Sequence, residues 1–87
     1  MRITKTRISR IETIVGTDCT RLRNDAYKVG ELITGMTLNA TGSQQPIVAE
    51  LREVRRALAL ACVALHEATV SAVNAGVILE RKSRASL

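Results

Sequence analysis

Few residues in this chain have the type and spacing to do chemistry. The one histidine, His66, is followed by Glu67, which would point about 100° away around a helix, so the two do not form a base–acid pair. The two cysteines, Cys19 and Cys62, lie too far apart for a C-x-x-C redox or metal motif. With a single histidine they also fall short of a four-ligand metal site. No glycine-rich phosphate loop is present. The expectation is a protein with no catalytic residues, metal or cofactor. Charge is what remains: 13 Lys and Arg against 8 Asp and Glu, a formal net charge of +5. Arginine dominates the cations, and its planar fork suits carboxylate or phosphate. Arg2, Lys5, Arg7 and Arg10 open the chain, Arg81, Lys82 and Arg84 close it, and Arg52, Arg55 and Arg56 lie between.

The elements that would position these groups are helical. Ile8, Ile11, Val15, Cys19, Leu22, Ala26, Val29, Ile33 and Met36 recur at steps of three and four, which predicts a helix over about 7–36. Ile14 and Leu32 widen its apolar stripe, and Thr4 or Thr6 is placed to cap it. Gly16, Gly30 and Gly35 each weaken it by about 1 kcal/mol relative to Ala, so packing must hold it. Residues 37–45 are rich in Thr, Asn, Gly, Ser and Gln and read as a loop, with Gly42 free to adopt a positive φ. Pro46 suits the first turn of a second helix, expected over 46–82 and followed by a frayed basic tail, 83–87. Its stripe reads Ile47, Leu51, Val54, Leu58, Ala61, Leu65, Ala68, Ala72, Ala75 and Leu79, close to a strict heptad.

The second helix is apolar on more than one face. Ala57 to Leu65 contains no polar residue, and Val70, Val73, Val77 and Ile78 extend the oily surface. A helix that is greasy on most sides must be buried on most sides. One companion helix cannot do that, and small domains often turn to oligomerisation. The fold expected is therefore all-α: a single domain, an antiparallel two-helix hairpin completed into a bundle by a partner chain. The surface expected to meet the partner is Leu58, Leu60, Cys62, Val63, Leu65, Val70, Val73 and Val77. In such a hairpin Cys19 and Cys62 fall at one level, either as a disulfide or as two free thiols filling the seam. Both chain ends meet, so Arg2, Lys5, Arg7, Arg10, Arg81, Lys82 and Arg84 make one basic docking end. No membrane span is expected, because Glu67 and His66 sit near the middle of the apolar stretch. No secretory signal is evident, since the basic N-terminus is not followed by an apolar run.

A hairpin of this length with the loop Thr37-Leu38-Asn39-Ala40-Thr41-Gly42-Ser43 resembles the small helical proteins of type VII secretion, the WXG superfamily. The closer likeness is to the companions of LXG toxins, whose C-terminal helix is similar to Val70-Ser71-Ala72-Val73 followed by Val77. The superfamily's Trp-x-Gly turn is absent. Where the companions' export signal pairs an aromatic with an acid, this chain has Val77 and Arg81, or Ile78 and Lys82. The resemblance implies a non-enzymatic adaptor or targeting factor. Its partner would be a toxin's N-terminal helices or a second small helical protein; apart from the resemblance, the apolar surface also allows a homo-oligomer, a self-assembling bundle. The resemblance also implies residence in the cytoplasm before export as a complex, without a cleaved signal peptide. The alternative function is a basic helical protein that binds nucleic acid, or another anionic surface, through its paired termini. With Tyr27 the only aromatic, base stacking has little to work with.

Overall fold

Thr4 starts the first helix. Its backbone is extended (φ −129°, ψ 155°), and its hydroxyl accepts a hydrogen bond from the Arg7 backbone N–H at 3.3 Å, satisfying one of the helix's orphan donors. In the computed structural model, which describes residues 1–85, helix α1 runs Lys5–Thr37 and helix α2 runs Gln45–Ala85. Both are longer than the sequence implies. The expected tail is part of α2 as far as Ala85, and Ser86 and Leu87 lie outside the described residues.

The connection between the helices is short and internally bonded. At the end of α1 the Leu38 N–H donates to the Thr34 carbonyl at 3.2 Å and the Ala40 N–H to the Thr37 carbonyl at 3.3 Å. Thr41 then opens a 3₁₀ turn, Gly42–Gln44. Its N–H donates to Gln44 Oε1 at 3.0 Å, while the Gln44 N–H returns to the Thr41 carbonyl at 3.0 Å. No described residue has a positive φ, so the freedom of Gly42 is not used; the turn tightens into 3₁₀ geometry instead. Pro46 sits in the first turn of α2, where its missing N–H costs no hydrogen bond.

The two helices pack antiparallel along a single seam. On α1 the seam is the expected stripe from Ile8 through Val15, Cys19, Leu22, Ala26 and Val29 to Ile33, which is 3% exposed. At its ends Ile11 and Met36 are exposed, and Glu12 and Thr37 are half-buried nearby. On α2 the stripe is rotated from expectation. Leu51, Leu58, Leu65, Ala72 and Leu79 face α1 as read, but they alternate with Val48, Cys62, Thr69 and Gly76. Ile47, Val54, Ala68 and Ala75 are left exposed. Gly76 explains part of the rotation: a Cβ there would lie 3.1 Å from Glu12 Oε1 and 3.5 Å from Ile8 Cγ2, so α1 approaches α2 closely at this point.

The result is a rod of 69 × 20 × 15 Å with a radius of gyration of 19.6 Å. A compact chain of this length would have a radius of gyration of about 12 Å. The accessible surface is 7045 Å², against roughly 5,000 Å² for a compact protein of this mass. Roughly 2,000 Å² more surface is open to solvent than a globular fold would leave. The core is correspondingly thin: among the described residues five apolar ones, Ile8, Cys19, Ile33, Val48 and Ala72, are buried.

Candidate interaction surfaces

The seam divides the remaining surface of α2 into two flanks. At 100° per residue, Val73 and Val77 fall on one side of the seam, and Ala75 and Ile78 on the other. The grooves confirm this. Val73 and Val77 line one groove with Lys5, Ser9 and Glu12 of α1, whereas Ala75 and Ile78 line another with Ile3 and Ile8. Because the helices run antiparallel, corresponding flanks of α1 and α2 form the same face of the hairpin.

The first face is the valine flank. Val63, Val70 and Val77 recur every seven residues with Val73 beside them, all exposed. On α1 this face carries Thr13, Thr20, Tyr27, Gly30 and Thr34, with Tyr27, Gly30 and Thr34 lining a groove with Arg55. The threonines are already satisfied: Thr13 Oγ1 donates to the Ser9 carbonyl at 3.0 Å, Thr20 to Gly16 at 3.2 Å and Thr34 to Gly30 at 2.9 Å. A hydroxyl bonded back to its own helix can be covered by an apolar surface at lower cost than a free one.

Of the eight residues expected to meet a partner, five lie outside the seam. Leu60 is on the outermost edge and 60% exposed, and Val63, Val70, Val73 and Val77 form the valine flank. The other three do not belong to that surface. Leu58, Cys62 and Leu65 are half-buried against α1, because the seam rotates toward Cys62 and keeps both leucines. Cys19 is buried, Cys62 is half-buried, and both are free thiols.

The second face was not singled out by sequence. It carries Ile11, Ile14, Leu32 and Met36 from α1, with Asp18 and Asp25 between them, and Ile47, Val54 and Ile78 from α2, all exposed. Between the aliphatic groups of α2 runs Ala57, Ala61, Ala64, Ala68 and Ser71, at steps of four, three, four and three. The signal lies in Ile14 and Leu32, off the α1 stripe, and in Ile47 and Val54, which the heptad spacing draws into the α2 stripe.

The chain ends meet as expected. Lys5 Nζ lies 4.0 Å from Glu80 Oε1, and Arg84 Nη2 lies 3.7 Å from the same oxygen. Glu80 is thus an acid embedded among the cations, and it softens the basic end. The Arg7 guanidinium donates to the Arg2 carbonyl, which gathers these two residues as well. Arg10, Arg81 and Lys82 are exposed around the same end. These ion pairs are exposed and add little stability. In the second cluster Arg56 pairs with Glu53 at 3.6 Å.

His66 and Glu67 are both exposed. Among the described residues, no group of three or more His, Cys, Asp or Glu could hold a metal ion. One helical segment, Gly42–Arg84, is long and apolar enough to cross a membrane by length and composition, with a mean hydropathy of 1.5 over its most apolar window. Only 6% of that window is buried in the hairpin. Compared with known protein families, curated proteins and solved structures, the chain matches none.

Proposed function

We propose that this protein is a non-enzymatic helical adaptor whose valine flank docks a helical partner. One observation carries the reading: only 6% of the most apolar stretch of the chain is fully buried, and the residues that face α1 there, Leu58, Cys62 and Leu65, are half-buried. Burying a Val- or Leu-sized side chain contributes about 1.5–3 kcal/mol. Covering Val63, Val70, Val73 and Val77, each already partly buried, is therefore enough to decide whether the hairpin persists. Their heptad spacing matches the ridges of a long helix. A bilayer fits less well, because Glu67 lies near the middle of the stretch, and a charged residue at that depth costs roughly 2.5–3.5 kcal/mol on insertion scales. The likeness to companions of LXG toxins supports a toxin's N-terminal helices as the partner and export of the complex as the purpose.

The test is co-expression with helical proteins encoded beside this one, followed by mass measurement of the purified complex. Val63→Asp or Val70→Asp is expected to abolish the complex while helicity persists. A complex that survives both substitutions, or variants that lose helicity at unchanged mass, would reject the reading.

A second reading rests on the meeting of the chain ends at Lys5 and Glu80. Seven cations there would hold a nucleic-acid backbone or another anionic surface. Duplex binding should then weaken steeply with salt and be lost on replacing Arg7, Arg10, Arg81 and Lys82 with Gln; a salt-independent binding curve would remove it.

A further inference from the structure

We propose that the second face, the one opposite the valine flank, is where two copies of this chain pair as antiparallel rods, their α2 helices meeting near Ala64. The inference does not depend on the adaptor reading, because it uses the other side of the hairpin.

Area points to a protomer-sized occupant. The chain exposes roughly 2,000 Å² more than a compact fold of its mass, and obligate homodimers bury about 2,000–5,000 Å² in total, half of it on each chain. Length points the same way. The large aliphatic side chains lie in two groups at opposite ends of a 69 Å rod. Ile11, Ile14 and Ile78 lie toward the chain termini, and Leu32, Met36 and Val54 lie toward the loop, all exposed. Only a partner as long as the rod covers both groups, and a second copy is such a rod.

A two-fold axis across the middle of the rod lays α2 over its own copy, antiparallel. Ile78 of one chain then meets the Ile47–Val54 end of the other, and Ile11 meets Leu32. At the centre, Ala61, Ala64 and Ala68 face their counterparts, and their small side chains permit the close approach that bulky residues would block.

Charge selects this orientation over the parallel one. Parallel rods would bring together two basic ends, each carrying seven cations. Antiparallel rods bring the basic end of each chain to the loop end of the other, where Glu31, Glu50 and Glu53 nearly offset Lys28, Arg52, Arg55 and Arg56, so the repulsion is smaller. Glu50 belongs to the pairing face and arrives opposite Ile78, one turn from the C-terminal cations.

Sedimentation of the full chain should give twice the 9.4 kDa protomer mass at micromolar concentration. The double variant Ile14→Glu, Ile78→Glu should halve that mass, while Val63→Glu, Val70→Glu should leave it unchanged. Because a separated hairpin with so thin a core can lose its fold, cross-linking supplies a second measurement. In a chain carrying Cys19→Ala and Cys62→Ala and still sedimenting as a dimer, Ala64→Cys should form a disulfide-linked dimer under mild oxidation, and Ile78→Cys should not. A monomer at every concentration overturns the proposal. So does a dimer lost through the Val63 and Val70 substitutions but not through Ile14 and Ile78, which would place self-pairing on the valine flank. Cross-linking at Ile78 but not Ala64 overturns the antiparallel arrangement, and cross-linking at neither overturns the pairing face.

Discussion

At the residue scale, glycine shows how tightly each part of the rod is built. Gly30 lies in α1 with nothing within 4 Å of where a Cβ would stand. Gly30→Ala therefore adds a methyl to open space and removes the entropy cost of glycine in a helix. It is expected to stabilise the isolated chain by about 0.5–1 kcal/mol, read as a higher urea midpoint. Gly76 is different. Its Cβ would stand 3.1 Å from Glu12 Oε1, the far end of a flexible side chain, and 3.5 Å from Ile8 Cγ2. The Glu12 carboxylate must give way by a few tenths of an ångström, so Gly76→Ala should gain less than Gly30→Ala. Equal gains at both sites would mean that the helices are not in close contact at Gly76. The same contrast explains why a helix weakened by three glycines survives: the seam holds α1 together, not the helix propensity of its residues.

At the element scale the hairpin itself was legible, and the rotation of α2 was not. Alternating three- and four-residue steps and a polar Thr/Asn/Gly connection were enough to specify two antiparallel helices. On α1 the polar face is broad, so apolarity alone located the seam from Ile8 to Ile33. On α2 apolar residues occupy both flanks, and hydrophobicity then carries almost no information about which side is inward. Ala68 and Ala75 suit a core better than Thr69 and Gly76 by hydrophobicity, yet the two alanines are exposed and the second pair is half-buried against α1, while Ala61 and Cys62 are both half-buried. Glycine at 76 admits α1, and the Thr69 hydroxyl is satisfied by the Leu65 carbonyl at 2.9 Å. Neither property registers on a hydrophobic stripe. That misjudged rotation placed Cys62 on the docking surface and hid the second face; Leu58 and Leu65 lie in the stripe and face α1, so they are not part of the docking surface. The observed register makes a sharp expectation. Ile33→Ala removes the most buried side chain and should cost about 2–5 kcal/mol, whereas Leu60→Ala, at the outermost edge, should change the stability of the isolated chain by less than about 0.5 kcal/mol. Chemical denaturation monitored by circular dichroism checks both. A large loss at Leu60 would show that α2 is turned differently.

At the scale of the whole molecule, surplus surface and surplus charge make opposing demands, and salt separates them. A chain with a net charge of +5 repels its own copies, while roughly 2,000 Å² of extra exposed surface favours association. Raising ionic strength from 0.01 to 0.15 M shortens the screening length from about 30 Å to about 8 Å. Repulsion between two basic rods fades over that range, and the burial of apolar surface is almost unaffected. Self-pairing should therefore tighten with salt. The thermal midpoint should rise with protein concentration, because a folded dimer is stabilised by mass action. An anionic partner held by the basic end behaves oppositely, since its affinity comes from the charges that salt screens. Sedimentation and thermal melts of the purified chain across this salt range distinguish the two. Association that weakens as salt rises would mean that charge, and not the aliphatic face, brings the molecules together. A midpoint independent of concentration would mean that the hairpin stands alone despite its thin core. The outcome also bears on the valine flank. If two copies pair through the opposite face, the dimer presents two valine flanks facing outward, and a helical partner should bind at one per chain.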